Sequence, residues 1–131
     1  MIEEGRALFL QIAESVEDSI VGGSLAEEEQ APSTNELAAF FRINPATAAK
    51  GVNVLVDKGV LYKRRGVGMF VAPGARERLL AERRTAFGER YVEPLLDEGR
   101  RLGLDADDLS RLILDRARTL ASASDATEGA S

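Results

Sequence analysis

A chain of 131 residues is long enough for one compact domain with a small appendage and too short to add a large sensory domain. It has no cysteine and no histidine, so a disulfide framework, a thiolate metal site and the common acid–base and nucleophile pairings are unavailable, and an enzyme is not expected. The formal charge of −5 would repel nucleic acid at long range if it were spread evenly, so the placement of charge along the chain matters.

The opening Met1-Ile2-Glu3-Glu4 lacks the basic and apolar regions of a signal peptide, and no apolar run approaches the length of a membrane span, so a cytoplasmic protein without membrane attachment is expected. An amphipathic helix is predicted from about Arg6 to Val21, with Leu8, Phe9, Ile12, Val16 and Ile20 as its apolar stripe, and Gly22-Gly23 stops it. The acidic stretch Leu25 to Gln30 is predicted to be a mobile loop, its glutamates simply solvated charge.

Ser33 with Glu36 three residues later is a capping box, which starts a helix carrying Leu37, Ala38, Phe40 and Phe41. Asn44-Pro45 then supplies a cap and a pre-set φ for a second helix almost at once. In that helix Ala48, Gly51, Val52 and Leu55 recur at the helical period as one inward stripe, while Thr47, Lys50 and Asn53 face outward. Gly51 costs roughly 1 kcal/mol relative to Ala in a helix interior, and close packing against another helix is the reason for it. Lys58-Gly59 ends the helix with a cation in its last turn and a residue able to turn left-handed just beyond.

Val60 to Lys63 and Met69 to Ala72 read as short strands, separated by Arg64-Arg65-Gly66-Val67-Gly68 as a basic hairpin tip. Two closely spaced helices followed by a Gly-bearing basic hairpin is what a helix-turn-helix with a β-wing needs to dock on duplex DNA. The charge follows the same division. Residues 1 to 32 carry one basic and eight acidic residues, for −7; residues 33 to 72 carry six basic against two acidic, for +4; residues 73 to 131 carry ten against twelve, for −2. With so few cations, binding should be specific only as a dimer and should weaken readily with salt, each neutralised phosphate steepening the log–log slope by about 0.9.

Beyond Pro73-Gly74 a long charged helix is predicted from about Ala75 to Val92, with a kink or restart at Pro94. A helix from Pro94 to Leu102 ends at Gly103, and Asp105 caps a last one from Ala106 to about Leu120. Leu95, Leu96, Leu102, Leu104, Leu109, Leu112 and Ile113 are more apolar surface than three short helices can hide alone, so burial against a second subunit is expected. Ser122 to Ser131, small and polar, reads as a disordered tail. Asp105, Asp107 and Asp108 match no EF-hand spacing and sit where helix-start acids belong, so neither metal nor cofactor is implied.

From about Ala7 to Val71 the chain resembles the DNA-binding domain of the GntR family of bacterial transcription regulators, specifically its YtrA-like subfamily. The resemblance rests on Ala7-Leu8-Phe9-Leu10-Gln11-Ile12, Pro32-Ser33 with Glu36-Leu37-Ala38, Ile43-Asn44-Pro45-Ala46-Thr47 with Lys50, and Gly66-Val67-Gly68-Met69-Phe70-Val71. It departs at Asn35, Pro45 and Ala49, where many members carry Arg, and at Met69, where Thr is commoner.

The expected fold class is mainly α with a small β-hairpin: a winged helix-turn-helix over 1–72, a helical dimerisation and effector region over 73–121, and a tail over 122–131. The candidate DNA-contacting set is Ser33, Thr34, Asn35, Asn44, Ala46, Thr47, Lys50, Lys63, Arg64, Arg65, Gly66 and Gly68. Thr47 and Lys50, with Asn35 as an amide contact, are the residue types that suit base edges. The resemblance implies a homodimeric repressor on a pseudo-palindromic operator, with half-sites ~34 Å apart, relieved by a small-molecule effector that the sequence does not name. Composition alone leaves the wing cations readable as a solvated hairpin tip, and Thr47 and Lys50 as helix support and a solvent-facing charge. The rival function is a winged-helix module for protein contacts, favoured by the acidic total charge and marked by an apolar wing and helix face.

Overall fold

Residues 7–130 are described by the computed structural model. They form α1 (Leu8–Val21), α2 (Thr34–Phe41), α3 (Pro45–Asp57), β1 (Leu61–Arg64), β2 (Gly68–Val71), α4 (Ala75–Phe87), a π-helical turn (Gly88–Val92), α5 (Glu93–Arg101) and α6 (Ala106–Ala130). Arg6, where the first helix was expected to begin, lies outside the described residues. Among the described residues no helix is long and apolar enough to cross a membrane. The chain divides into two compact units, one ending at Arg83 and one starting at Arg84.

In the first unit, Ile12, Val16 and Ile20 recur every four residues along α1 and are all buried, together with Ala48, Val52 and Leu55 of α3 and Leu37 and Ala38 of α2. Leu8 lies at the edge of the expected stripe and is 38% exposed. The four inward positions of α3 are buried as their spacing predicts. Gly51 has a direct geometric cause: a Cβ there would lie 2.7 Å from the carbonyl oxygen of Phe9 and 3.2 Å from Cβ of Ile12. The glycine lets the backbones of α1 and α3 meet.

β1 and β2 pair antiparallel, Leu61 opposite Val71 and Arg64 opposite Gly68. The pleat sends Leu61 and Val71 into the core while Tyr62 and Phe70 pair on the other face. The acidic stretch from Leu25 to Gln30 is not the loose loop its composition suggests. Leu25 is buried, the amide of Glu28 donates to the carbonyl of Val71 (2.8 Å), Val71 donates to Glu29 (3.0 Å), and Gln30 bridges to Phe70. Backbone groups on the free edge of β2 need partners, and this segment supplies them.

The boundary expected at residue 72 lies further on. Ala75 and Leu79 of α4 are buried in the same core, Arg76 donates to the carbonyl of Val21 (3.1 Å), and Arg83 pairs with Asp18 (2.5 Å). The start of α4 is therefore part of the winged unit, because its apolar positions complete that core. Lys58, at the end of α3, ties three helices by donating to Glu17 of α1 (2.6 Å) and Glu82 of α4 (3.0 Å). Desolvation pulls its pKa down, but the hydrogen bonds and charges of the two glutamates outweigh this and hold the ammonium above its usual value.

In the second unit the helix does not break sharply at Pro94. The widened turn Gly88–Val92 precedes it and α5 continues directly, with Pro94 in its first turn. A π-turn relieves the clash of the proline ring with the preceding carbonyls and accommodates its missing N–H. Gly99 is buried against Leu109, where a Cβ would lie 2.8 Å from a leucine methyl. α6 begins with a reciprocal cap in which the Asp108 amide donates to Asp105 Oδ1 (2.8 Å) and the Asp105 amide donates to Asp108 Oδ2 (3.0 Å). It runs to Ala130 rather than ending near Leu120, so the stretch read as a tail is helical as far as Ala130. Repeated alanines and the absence of proline make that continuation cheap.

Two substitutions test this packing. Gly51→Ala raises helix propensity by roughly 1 kcal/mol, yet the collision with the Phe9 carbonyl should make it a net loss of about 1–3 kcal/mol in urea unfolding. Lys58→Met should cost about 1 kcal/mol near neutral pH. Because the lysine's pKa is raised on folding, its contribution is complete below the ordinary lysine range and lost as pH climbs through the raised value, so the two unfolding midpoints should converge at strongly alkaline pH.

Candidate nucleic-acid interface

α2 starts at Ser33, whose hydroxyl accepts from the Glu36 amide (3.0 Å) while the Glu36 carboxylate accepts from the Ser33 amide (3.0 Å). These bonds, the backbone one foremost, lower the Glu36 pKa below the ordinary glutamate range. α2 closes on Arg42, a non-glycine residue in the left-handed region (φ 56°), and the Ile43 amide returns to the Ala38 carbonyl. That left-handed residue allows α3 to start after only two more residues. Asn44 caps it through a bond from the Ala46 amide to Oδ1 (2.8 Å), with Pro45 in its first turn.

All of the candidate DNA-contacting residues fall in the first unit, and none is buried. At the start of α2, Ser33 and Asn35 are exposed and Thr34 is half-buried; the Ser33 hydroxyl is already used as an acceptor in the cap. At the start of α3, Asn44, Ala46 and Lys50 are exposed and Thr47 is half-buried. The Lys50 ammonium lies 4.2 Å from the centre of the Phe9 ring, so α1 supports the lysine while leaving it accessible. Asn53 also faces outward from α3.

In the wing, Lys63, Arg65 and Gly66 are exposed. The Val67 amide donates to the Arg64 carbonyl (3.0 Å) and Gly66 takes φ 77°, a turn that a side chain would strain. Gly68, at φ 142°, leaves room for Gln30, whose amide donates to the Val67 carbonyl (2.9 Å); a Cβ on Gly68 would lie 2.6 Å from that amide nitrogen. Arg64 differs from its neighbours. Its guanidinium pairs with Glu28 (3.1 Å) and lies 4.1 Å from the centre of the Phe70 ring.

The cationic block of residues 33–72 is thus smaller than its composition implies. Lys58 and Arg64 are held by carboxylates from outside the block, whereas no ion pair among the described residues engages Arg42, Lys50, Lys63 or Arg65. Sequence reading missed the partners. Glu28 sits in a run of three glutamates that looks like plain solvated charge, and only the fold brings it to the wing. Among the described residues, no cluster of three or more Asp or Glu side chains could hold a metal ion.

The family model for gntR-type bacterial regulatory proteins matches residues 8–71, the span of the first five elements. A solved complex of mutant ORR3 with the N-terminal domain of AraR is 31% identical, with a TM-score of 0.51, and its matched chain is covered in full by 53% of this one. The chain belongs to the GntR family. A GntR-family transcriptional regulator from Bacteroides thetaiotaomicron extends the likeness to 87% of this chain and 99% of that one, at 28% identity and a TM-score of 0.72. The transcriptional repressor YtrA of Bacillus subtilis is 24% identical over 69% of each chain. The protein is therefore a winged helix-turn-helix transcription regulator and not an enzyme.

Ser33→Ala should lower the stability of this family member by about 1 kcal/mol in thermal or urea unfolding. The glutamate's pKa is lowered on folding, so its share of the cap is present above the ordinary glutamate range and disappears as pH falls. The difference between wild type and Ser33→Ala should accordingly narrow in acid.

Proposed function

We propose that this GntR-family regulator is a cytoplasmic homodimeric repressor of YtrA type that binds a pseudo-palindromic duplex operator through α3 and the wing. The observation that carries this reading is the exposure, on one compact unit, of the first turns of α3 and of a wing presenting Lys63 and Arg65. Thr47 and Lys50 enter the major groove, with Asn35 as an amide contact, because an ammonium can bridge guanine acceptors and an amide can pair adenine. The starts of α2 and α3, at Ser33, Thr34, Asn44 and Ala46, offer N–H groups to phosphates. The wing residues Lys63, Arg65, Gly66 and Gly68 approach the flanking backbone or minor groove. A protein-docking module would instead present an apolar face on α3 and the wing, whereas the exposed residues here are largely polar or cationic.

The second unit supports dimerisation. Phe87, Tyr91, Leu112, Ile113, Leu114 and Leu120 are each 46–70% exposed, and Leu95 and Leu96 nearly 40%, which is more apolar surface than a lone helical hairpin sustains in water. A second copy of the same unit is the partner that closed two-fold symmetry provides. An effector bound between such copies would act by changing the angle between the two winged units, and the half-site spacing of about one turn is what makes that angle matter.

The reading is tested with duplex DNA from the chain's own upstream region. Wild type should give a salt-sensitive gel shift, and Lys50→Ala should bind roughly 10- to 100-fold more weakly, the range of one lost base contact. Equal binding by both proteins removes Lys50 from the interface. In sedimentation, wild type should run as a dimer and Ile113→Glu as a monomer; a monomeric wild type refutes the assembly.

A further inference from the structure

The wing's three consecutive basic residues have different surroundings. β1 sends Lys63 to the face it shares with Met69, while Tyr62 and Arg64 lie on the opposite face with Phe70. Arg65 sits in the exposed turn. On the Phe70 face, Glu28 reaches across β2 and its Oε2 accepts from the Tyr62 hydroxyl (2.5 Å) and from Arg64 (3.1 Å), while Arg64 also donates to the Tyr62 oxygen (2.9 Å). The guanidinium lies 4.1 Å from the Phe70 ring centre and 5.6 Å from that of Tyr62, and Phe70 is only 8% exposed.

Glu28 is held in place for this role. It sits in the left-handed region at φ 67°, a conformation a non-glycine residue rarely keeps without support. The support is the bond from its own amide to the Val71 carbonyl (2.8 Å), with the next residue accepting from the Val71 amide (3.0 Å).

We infer that Arg64 is not a DNA contact but a strut: with Glu28, Tyr62 and Phe70 it fixes the wing to the segment before α2, and it remains paired with Glu28 when the protein is on DNA. Transferring Arg64 to a phosphate would uncover Phe70 and leave an unpaired carboxylate beside the polyanion, both unfavourable. Keeping it in place leaves Lys63 and Arg65 as the wing's cations for phosphate, and makes Glu28 and Tyr62 positioning residues of the interface. This refines the proposed DNA-binding function and rests on it, but the strut itself exists in the free protein.

Two measurements separate the two claims. In hydrogen exchange of the free chain, Arg64→Gln and Glu28→Gln should each speed exchange of the Glu28 and Val71 amides by about fivefold or more, the loss of one charge-assisted bond. Unchanged exchange in both variants overturns the strut whatever the DNA results. The DNA arm uses a duplex selected by the wild-type chain from a random-sequence library. There Arg64→Gln should weaken binding with an unchanged log–log salt slope, whereas Arg65→Gln should reduce the slope by about 0.9 per chain. A comparable fall in slope for Arg64→Gln shows a phosphate contact and overturns the inference. If wild type selects no duplex, the DNA-binding proposal and the inferred on-DNA role of Arg64 both fail, while hydrogen exchange still decides whether the strut exists.

Discussion

The approach of α1 to α3 at Gly51 sets the position of everything presented on the reading face. The backbone carbonyl of Phe9 occupies the space a side chain at 51 would fill, so the two helices pack with almost nothing between them, and Ile12, Ala48, Val52 and Leu55 close around the contact. The same contact brings the Phe9 ring under the ammonium of Lys50. An exposed lysine normally loses much of its freedom on binding; one already supported by a ring has less to lose.

Around this contact the protein spends much of its charge on itself. An acidic chain that binds DNA must keep its carboxylates off the reading face or neutralise them. Glu17 and Glu82 are gathered by Lys58 on α3, and Glu28 by Arg64 and Tyr62 at the wing. The free cations that remain are few, which leaves specific binding dependent on well-placed contacts and on two copies acting together rather than on bulk attraction. In the second unit the widened turn before Pro94 and the Gly99–Leu109 contact shape a helical region whose apolar side chains stay largely uncovered in a single chain.

Much of the winged unit was legible in the residues because its signals are local. The capping box at Ser33 and Glu36, the Asn44-Pro45 start, the burial of Ala48, Gly51, Val52 and Leu55, and the glycine turn of the wing each depend on neighbours within a few positions, and each is found where the spacing puts it. The departures lie where the deciding neighbour is distant. The acidic stretch before α2 looked loose because nothing in Glu27-Glu28-Glu29 indicates a sheet edge some forty residues later that needs hydrogen bonds. The winged unit reaches past Pro73 because Ala75 and Leu79 fill a core assembled from the far end of the chain.

What the sequence by itself determined is the order of elements and the identity of the outward-facing residues on α3, since periodicity and capping are properties of consecutive residues. Which cations are free was decided only by the tertiary structure. Lys63, Arg64 and Arg65 are equivalent in a list of charges, and they differ because the pleat turns Arg64 toward Phe70 and the fold carries Glu28 to meet it. Ion pairing acts through space over a few ångströms, and that distance is set by which segments fold together, not by their separation along the chain.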